Sequence, residues 1–384
     1  MGELWLRLAS IHKFLLFQTL AFTLDFMDSV SQIALGAAIG DYTLGRKIGR
    51  SAILLGGALG TLPDLDVLVH YVDAVESFTY HRSWSHSIFT LSALSFIVAF
   101  LLQRFYPNRW IRAPKPIQSS SARPGYIDWL LCCWLILITH IFLDGFTIYG
   151  TQLMWPLPVD PIAWGSIFII DPLYTVPLLI SLMIAWKNRH KAKRAIACGL
   201  LISCAYVGAT VFSQNHARDV ALASLEEQGL ATDNVLIAPA PFSVLWRIVS
   251  IDNEKYYEGF YSVFDSDRSI SFNTFISGRS IIEKHSSHWP IAQLDWFTGK
   301  MISASQQNDR LIINDLRMGV ESSYVFRFDV GAFVSNDEQT LNDDIEFDPE
   351  VSRLLPLQLN YARMRAIVRR VWDESTPIPV NYIN

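Results

Sequence analysis

Four apolar stretches of this 384-residue chain carry acids or histidines at one end, while Lys and Arg gather at the other. That polarity constrains the fold more than any other feature. A helix needs about 20 apolar residues to cross a bilayer, and an ionisable group inside or beside one is costly enough to be read as functional. The residues are Asp64 and Asp66 in Pro-Asp-Leu-Asp, His81 and His86 in His-Arg-Ser-Trp-Ser-His-Ser, His140 and Asp144 in Thr-His-Ile-Phe-Leu-Asp, and Asp171 in Ile-Ile-Asp-Pro.

Apolar segments run over 29–45, 51–70, 86–103, 127–144, 167–186 and 195–213. With 51% hydrophobic and 17% charged residues, the chain is too apolar for a soluble enzyme alone. The pattern predicts a polytopic α-helical membrane protein of about five to six transmembrane helices, spanning 28–213. The first segment is short and rich in small residues (Gly36, Ala37, Ala38, Gly40), which suits close helix packing. The second is broken by Pro63, after a helical run from Ser51 that reaches only about 18 Å. Asp64 and Asp66 would then lie below the bilayer surface, in a broken helix lining a cavity.

The connecting loops alternate in charge. Arg46, Lys47 and Arg50 join the first two segments. Arg104, Arg109, Arg112, Lys115 and Arg123 join the third and fourth, and Lys187, Arg189, Lys191, Lys193 and Arg194 join the fifth and sixth. In the opposite loops, 71–85 and 145–166, Arg82 is the single basic residue. The positive-inside rule puts the basic loops in the cytoplasm, and the opposite loops with everything after segment six outside, in the periplasm of a Gram-negative cell. The stretch Leu4 to Phe26, interrupted by Arg7, Lys13 and Asp25, has no small-residue cleavage site after it. Residues 1–27 read either as an extension ahead of a start at Met27 or as an interfacial helix. Cys132, Cys133, Cys198 and Cys204 all lie in apolar runs and read as core or lipid-facing residues. A net charge of −5 gives no support for nucleic-acid binding.

From about 214 the composition changes. A short polar helix is expected over 217–229. Alternating runs follow: Ser243–Ser250, Tyr256–Phe264, Arg310–Arg317 and Tyr324–Val330. Aromatic and β-branched residues at period two predict antiparallel strands. Pro356–Trp372 reads as a terminal helix with Pro356 in its first turn. The region 214–384 is thus expected to be an extracytoplasmic α+β domain, mainly antiparallel β.

His140 and Asp144 stand at i, i+4 on one helical face. Asp64 and Asp66, two apart in an extended stretch, could aim both carboxylates one way, although Asp after Pro is also ordinary turn chemistry. His81 and His86 flank Arg-Ser-Trp-Ser, where Ser83 or Ser85 could simply cap a helix. Histidine plus carboxylate is ligand chemistry for Zn, and for Mn or Fe. Arg82 is placed to bind a phosphate or carboxylate of a substrate, or to form a salt bridge. Asp171 reads as a helix-starting acid or a site member, Gln32 as a neutral ligand or helix-packing residue, and His285 and His288 as surface residues. There is no Gly-x-Ser-x-Gly elbow, Walker loop or His-Glu-x-x-His.

Together with Met27-Asp-Ser-Val-Ser-Gln, Leu44-Gly-Arg-Lys, Gly60-Thr-Leu-Pro-Asp-Leu-Asp and Tyr149-Gly-Thr-Gln, these motifs resemble the YdjM-like family. Leu245-Trp-Arg and Tyr256-Tyr-Glu-Gly look like the extension of its longer members. The resemblance implies a bacterial inner-membrane, metal-dependent hydrolase, some members being under LexA control. It also implies His where this chain has Gln32. The expectation is a divalent ion, Zn before Mn or Fe, on Asp64, Asp66, His81, His86, His140 and Asp144, with an uncoordinated carboxylate as general base. The bilayer is the expected partner and a phospholipid or lipid-linked ester the expected substrate. Intramembrane Asp and His also suit a proton- or metal-coupled transporter, and a scaffold with a structural metal is a third reading.

Overall fold

The computed structural model describes residues 30–106, 123–334, 345–355 and 361–379. The expectations for 1–27, for most of the basic loop after segment three, and for Pro356 lie outside those residues. The first seven helices are α1 (30–48), α2 (Ser51–Gly60), α3 (Ala74–Tyr80), α4 (Ile88–Phe105), α5 (Tyr126–Phe146), α6 (Pro172–Lys187) and α7 (Ala192–Glu227). Three of them, α4, α5 and α7, are long and apolar enough to cross a membrane, while α2 and α6 are apolar but shorter.

The chain divides into two compact units. One is drawn from Met1–Asp64, Leu94–His140 and Pro172–Ser203. Its seam is α1 against α2. A Cβ on Gly36 would sit 2.4 Å from the Gly56 carbonyl oxygen, one on Gly40 2.5 Å from that of Ala52, and one on Gly60 2.6 Å from that of Gln32. Only hydrogen fits there, so the small residues of the first segment let two backbones touch. At the basic end of the unit, Arg189 Nη1 pairs with Asp41 at 2.7 Å and Lys47 Nζ with Asp128 at 2.5 Å. Pro63 does end the second segment, but a 3-10 turn, Pro63–Leu68, follows in place of an extended stretch.

The other unit comprises Leu65–Ala93, Ile141–Asp171 and Cys204–Asn384. Its strands are β1 (Val235–Pro239), β2 (Leu245–Ile251), β3 (Lys255–Ser262), β4 (Asn273–Ile276), β5 (Ile302–Gln307), β6 (Arg310–Asp315), β7 (Gly319–Val320), β8 (Ser323–Tyr324), β9 (Arg327–Phe333) and β10 (Ile345–Arg353). They form two four-stranded antiparallel sheets, ordered β1-β2-β3-β4 and β10-β9-β6-β5, and a β7-β8 ribbon. Helices α8 (Arg279–Lys284), α9 (Trp289–Phe297) and α10 (Tyr361–Arg370) complete the unit. The four alternating runs are found as β2, β3, β6 and β8–β9. The short polar helix is not separate: it is the last part of α7, which continues unbroken for 36 residues and seats Ala217, Val220 and Ala221 against Ile237, Trp246 and Ile248 of the first sheet. Helix α3 puts Val75 and Phe78 into the core of the second sheet, with Phe297, Phe326 and Phe328. Asp73 caps α3 and also accepts from the Val351 amide of β10 at 2.8 Å. His285 and His288 are half-buried, with their rings against Phe347.

The Leu245-Trp-Arg and Tyr256-Tyr-Glu-Gly motifs meet inside the first sheet. In the β2–β3 register Val249 faces Glu258, so Arg247 and Glu258 are diagonal neighbours on one face. Arg247 Nε lies 2.6 Å from Glu258 Oε1, and Nη1 donates to the Leu316 carbonyl. Burial opposes the Arg247 charge, but the adjacent Glu258 holds the guanidinium above its ordinary range. A buried pair of this kind is most costly when one member is lost.

Two outcomes are expected. Gly56→Leu forces α1 and α2 apart, so the variant yields little protein that survives size exclusion in detergent, while Gly208→Leu, at a position with open space around it, behaves as wild type. Glu258→Leu destabilises the sheet unit by about 3–5 kcal/mol, and the Arg247→Met/Glu258→Leu double variant recovers most of that in denaturant unfolding followed by sheet circular dichroism.

Candidate metal centre

Two histidines dominate the acidic end of the chain, and each is fixed in one tautomer by its own neighbours. His140, on α5 and 1% exposed, places Nδ1 2.8 Å from the Gly60 carbonyl oxygen. A carbonyl only accepts, so Nδ1 carries the hydrogen. Nε2 then faces Asp64 Oδ1 at 3.2 Å. Gly60 closes α2 at the glycine seam, so the same close packing that excludes a Cβ there presents this carbonyl. Gln32 donates its amide to the His140 carbonyl at 3.3 Å and serves here to tie α1 to α5.

His86 closes a short 3-10 turn, Trp84–His86, and is fully buried. Ser85 Oγ donates to Asp66 Oδ2 at 2.6 Å, because a carboxylate only accepts. The Ser85 oxygen is therefore the acceptor for His86 Nδ1 at 2.9 Å. The Nε2 of His86 faces Asp144 Oδ2 at 3.2 Å. In both pairs a neutral Nε2 and a carboxylate oxygen are two acceptors face to face. The approach is favourable only with positive charge between them, either a proton or a metal ion.

Asp64, His86, His140 and Asp144 together supply the two imidazoles and two carboxylates that could hold a metal ion. That donor mixture suits Zn, Mn or Fe better than Ca or Mg, which favour all-oxygen sets. His140 and Asp144 stand one turn apart on the continuous helix α5. Asp64 and Asp66 do not share a direction, because the turn they occupy is 3-10: Asp64 goes to His140, while Asp66 takes His81 Nδ1 at 3.0 Å as well as Ser85.

Arg82 is 3% exposed and sits at φ 62°, in the left-handed region that a side chain adopts only when its surroundings dictate it. Its amide donates to Asp66 Oδ2 at 3.1 Å. Nη1 reaches Asp144 Oδ1 at 3.4 Å and Thr147 Oγ1 at 3.2 Å, and the guanidinium lies 5.2 Å from the Tyr149 ring centre. The Tyr149-Gly-Thr-Gln motif supports this loop. Tyr149 Oη donates to the Phe78 carbonyl, Gln152 Nε2 to that of Thr79, and the Gln152 amide to that of Arg82. Nothing in residue spacing marked Ser85, Thr147 or the Gly60 carbonyl as part of the arrangement. The cap of α4 is neither Ser83 nor Ser85 but Ser87, whose Oγ accepts from the Phe89 amide at 3.2 Å. Asp171 is buried and takes Tyr206 Oη and Ser243 Oγ at 2.7 and 2.8 Å, and it is not one of the four residues of the metal-competent set.

Apolar helices, an antiparallel sheet unit and buried histidine–carboxylate pairs define a membrane protein with a candidate metal centre. Residues 27–217 match the family described as YdjM inner membrane protein. It is also similar to the uncharacterized protein YfhP of Bacillus subtilis (strain 168), with 22% identity over 240 residues, covering 61% of this chain and 68% of that protein. No solved structure matches.

In protein reconstituted with Zn, nitrogen NMR of labelled histidine is expected to show His86 and His140 with hydrogen on Nδ1 and none on Nε2. Ser85→Ala should remove that preference at His86 and leave His140 unchanged.

Proposed function

We propose that the chain is a multi-pass inner-membrane hydrolase that uses one divalent cation, Zn before Mn or Fe, on a phospholipid or lipid-linked ester at the periplasmic face. The observation that carries this reading is the repeated approach of a histidine Nε2 to a carboxylate oxygen at 3.2 Å, with the Nδ1 hydrogen of each ring committed to an acceptor on its far side. Asp64, His86, His140 and Asp144 would hold the cation. When bound, a divalent cation supplies Lewis acidity and lowers the pKa of a water towards about 7.

The protein residues divide the remaining work. The Asp64 side chain is 21% exposed, against 1% or less for His86, His140 and Asp144, so the Asp64 oxygen not spent on the cation is the one best placed to take a proton from an attacking water. Asp66 and His81 hold Ser85, and through it the His86 ring. Arg82 holds Asp144 Oδ1 so that Oδ2 is turned to His86, and the same guanidinium would grip a substrate phosphate. The charge bias of the loops supports a cytoplasmic basic end, and hence a periplasmic site and C-terminal domain. The shorter helices α2 and α6, with α1, support five to six spans beside the three long ones.

Elemental analysis of detergent-purified protein tests the reading. One or more equivalents of Zn, Mn or Fe are expected, lost in His86→Ala/His140→Ala protein that still inserts and elutes as wild type. Metal-dependent turnover in a screen of phosphoester and lipid substrates is the expected companion result. If neither protein holds metal after reconstitution with each ion, the hydrolase reading fails and the positive charge between the pairs is a proton, as a transporter would use it.

A further inference from the structure

The basic end of the first unit holds an open cavity of about 560 Å³, lined by Tyr42, Arg46, His190, Lys193, Arg194 and Ala197. No carboxylate is among the described residues that line it. The acids at this end are engaged elsewhere, Asp41 with Arg189 and Asp128 with Lys47. Lys193 Nζ lies 5.2 Å from the centre of the Tyr42 ring, which holds the ammonium at the cavity wall.

Lys193 and Arg194 fall in the first turn of α7, which carries no acid. A helix N-terminus bears partial positive charge, and acids, not bases, stabilise it. Two cations there, with Arg46 and His190 facing the same space, violate that local rule, and an anion in the cavity removes the conflict. The surroundings say what carries the anion. Trp186, at the end of α6, is 43% exposed, with the Arg50 guanidinium 5.5 Å from its ring centre. Tryptophan beside arginine marks the headgroup level of a bilayer, where basic pockets between helices take anionic headgroups.

We infer that this cavity binds a phosphate oxyanion, carried by the headgroup of an anionic phospholipid. The site needs neither the cation nor the substrate of the hydrolase reading. Arg194→Gln and Arg46→Gln are suitable probes, because single neutralisations leave both loops basic and the insertion signal intact. Arg104→Gln, at the end of α4, controls for general attraction between basic residues and lipid.

The test is native mass spectrometry of the full chain in detergent, titrated with phosphatidylglycerol, phosphatidylcholine or inorganic phosphate. The expected result is preferential retention of phosphatidylglycerol, weakened about fivefold by each cavity substitution and unaffected by Arg104→Gln. Equal retention of phosphatidylcholine, or equal weakening by Arg104→Gln, overturns the site. Retention of inorganic phosphate without the lipid overturns the assignment to a headgroup.

Discussion

A buried imidazole nitrogen that faces a carboxylate without a hydrogen between them is repulsive, and the acidic end of this protein is organised around two such pairs. Everything near them makes the pairing specific. A backbone carbonyl takes one Nδ1–H and a serine oxygen takes the other. Arg82 fixes which oxygen of Asp144 is presented. Because each ring has only one hydrogen in its neutral form, committing it on the far side leaves no freedom on the near side. The charge that sits between the members of each pair is a proton or a metal ion.

Much of the fold was legible because two periodicities are strong. Runs such as Leu245–Ile251 and Arg310–Asp315 alternate and are strands. The segments around His140 and Thr90 are apolar over the length of a helix, and they are helices. The continuity of α7 was not legible: hydropathy falls near Gln214, but helix propensity does not, and a change of solvent resembles a change of structure. After Pro63 a turn and an extended stretch were both readable, since proline ends an α-helix without saying which conformation follows, and the turn is what forms.

The candidate centre was legible in its histidines and acids, which are rare in apolar surroundings and stand out. The groups that orient them were not. A carbonyl such as that of Gly60 has no residue identity, and Ser85 reads as one more capping serine. Arg82 read as a substrate-phosphate or salt-bridge residue, and nothing local announces the Tyr149 ring beside it. Arg247 and Glu258 were equally hidden, eleven positions apart and joined only by strand register.

The placement of α3 on the second sheet reaches further than packing. Val75 and Phe78 lie in the same core as strands formed more than two hundred residues later, and the Asp73 carboxylate holds the Val351 amide while it caps the helix. The loop that carries His81, Arg82 and His86 begins at the end of that helix. The C-terminal region is therefore the foundation of the histidine loop, not an accessory, and a chain shortened to its apolar helices would lose the surface that shapes half of its own centre.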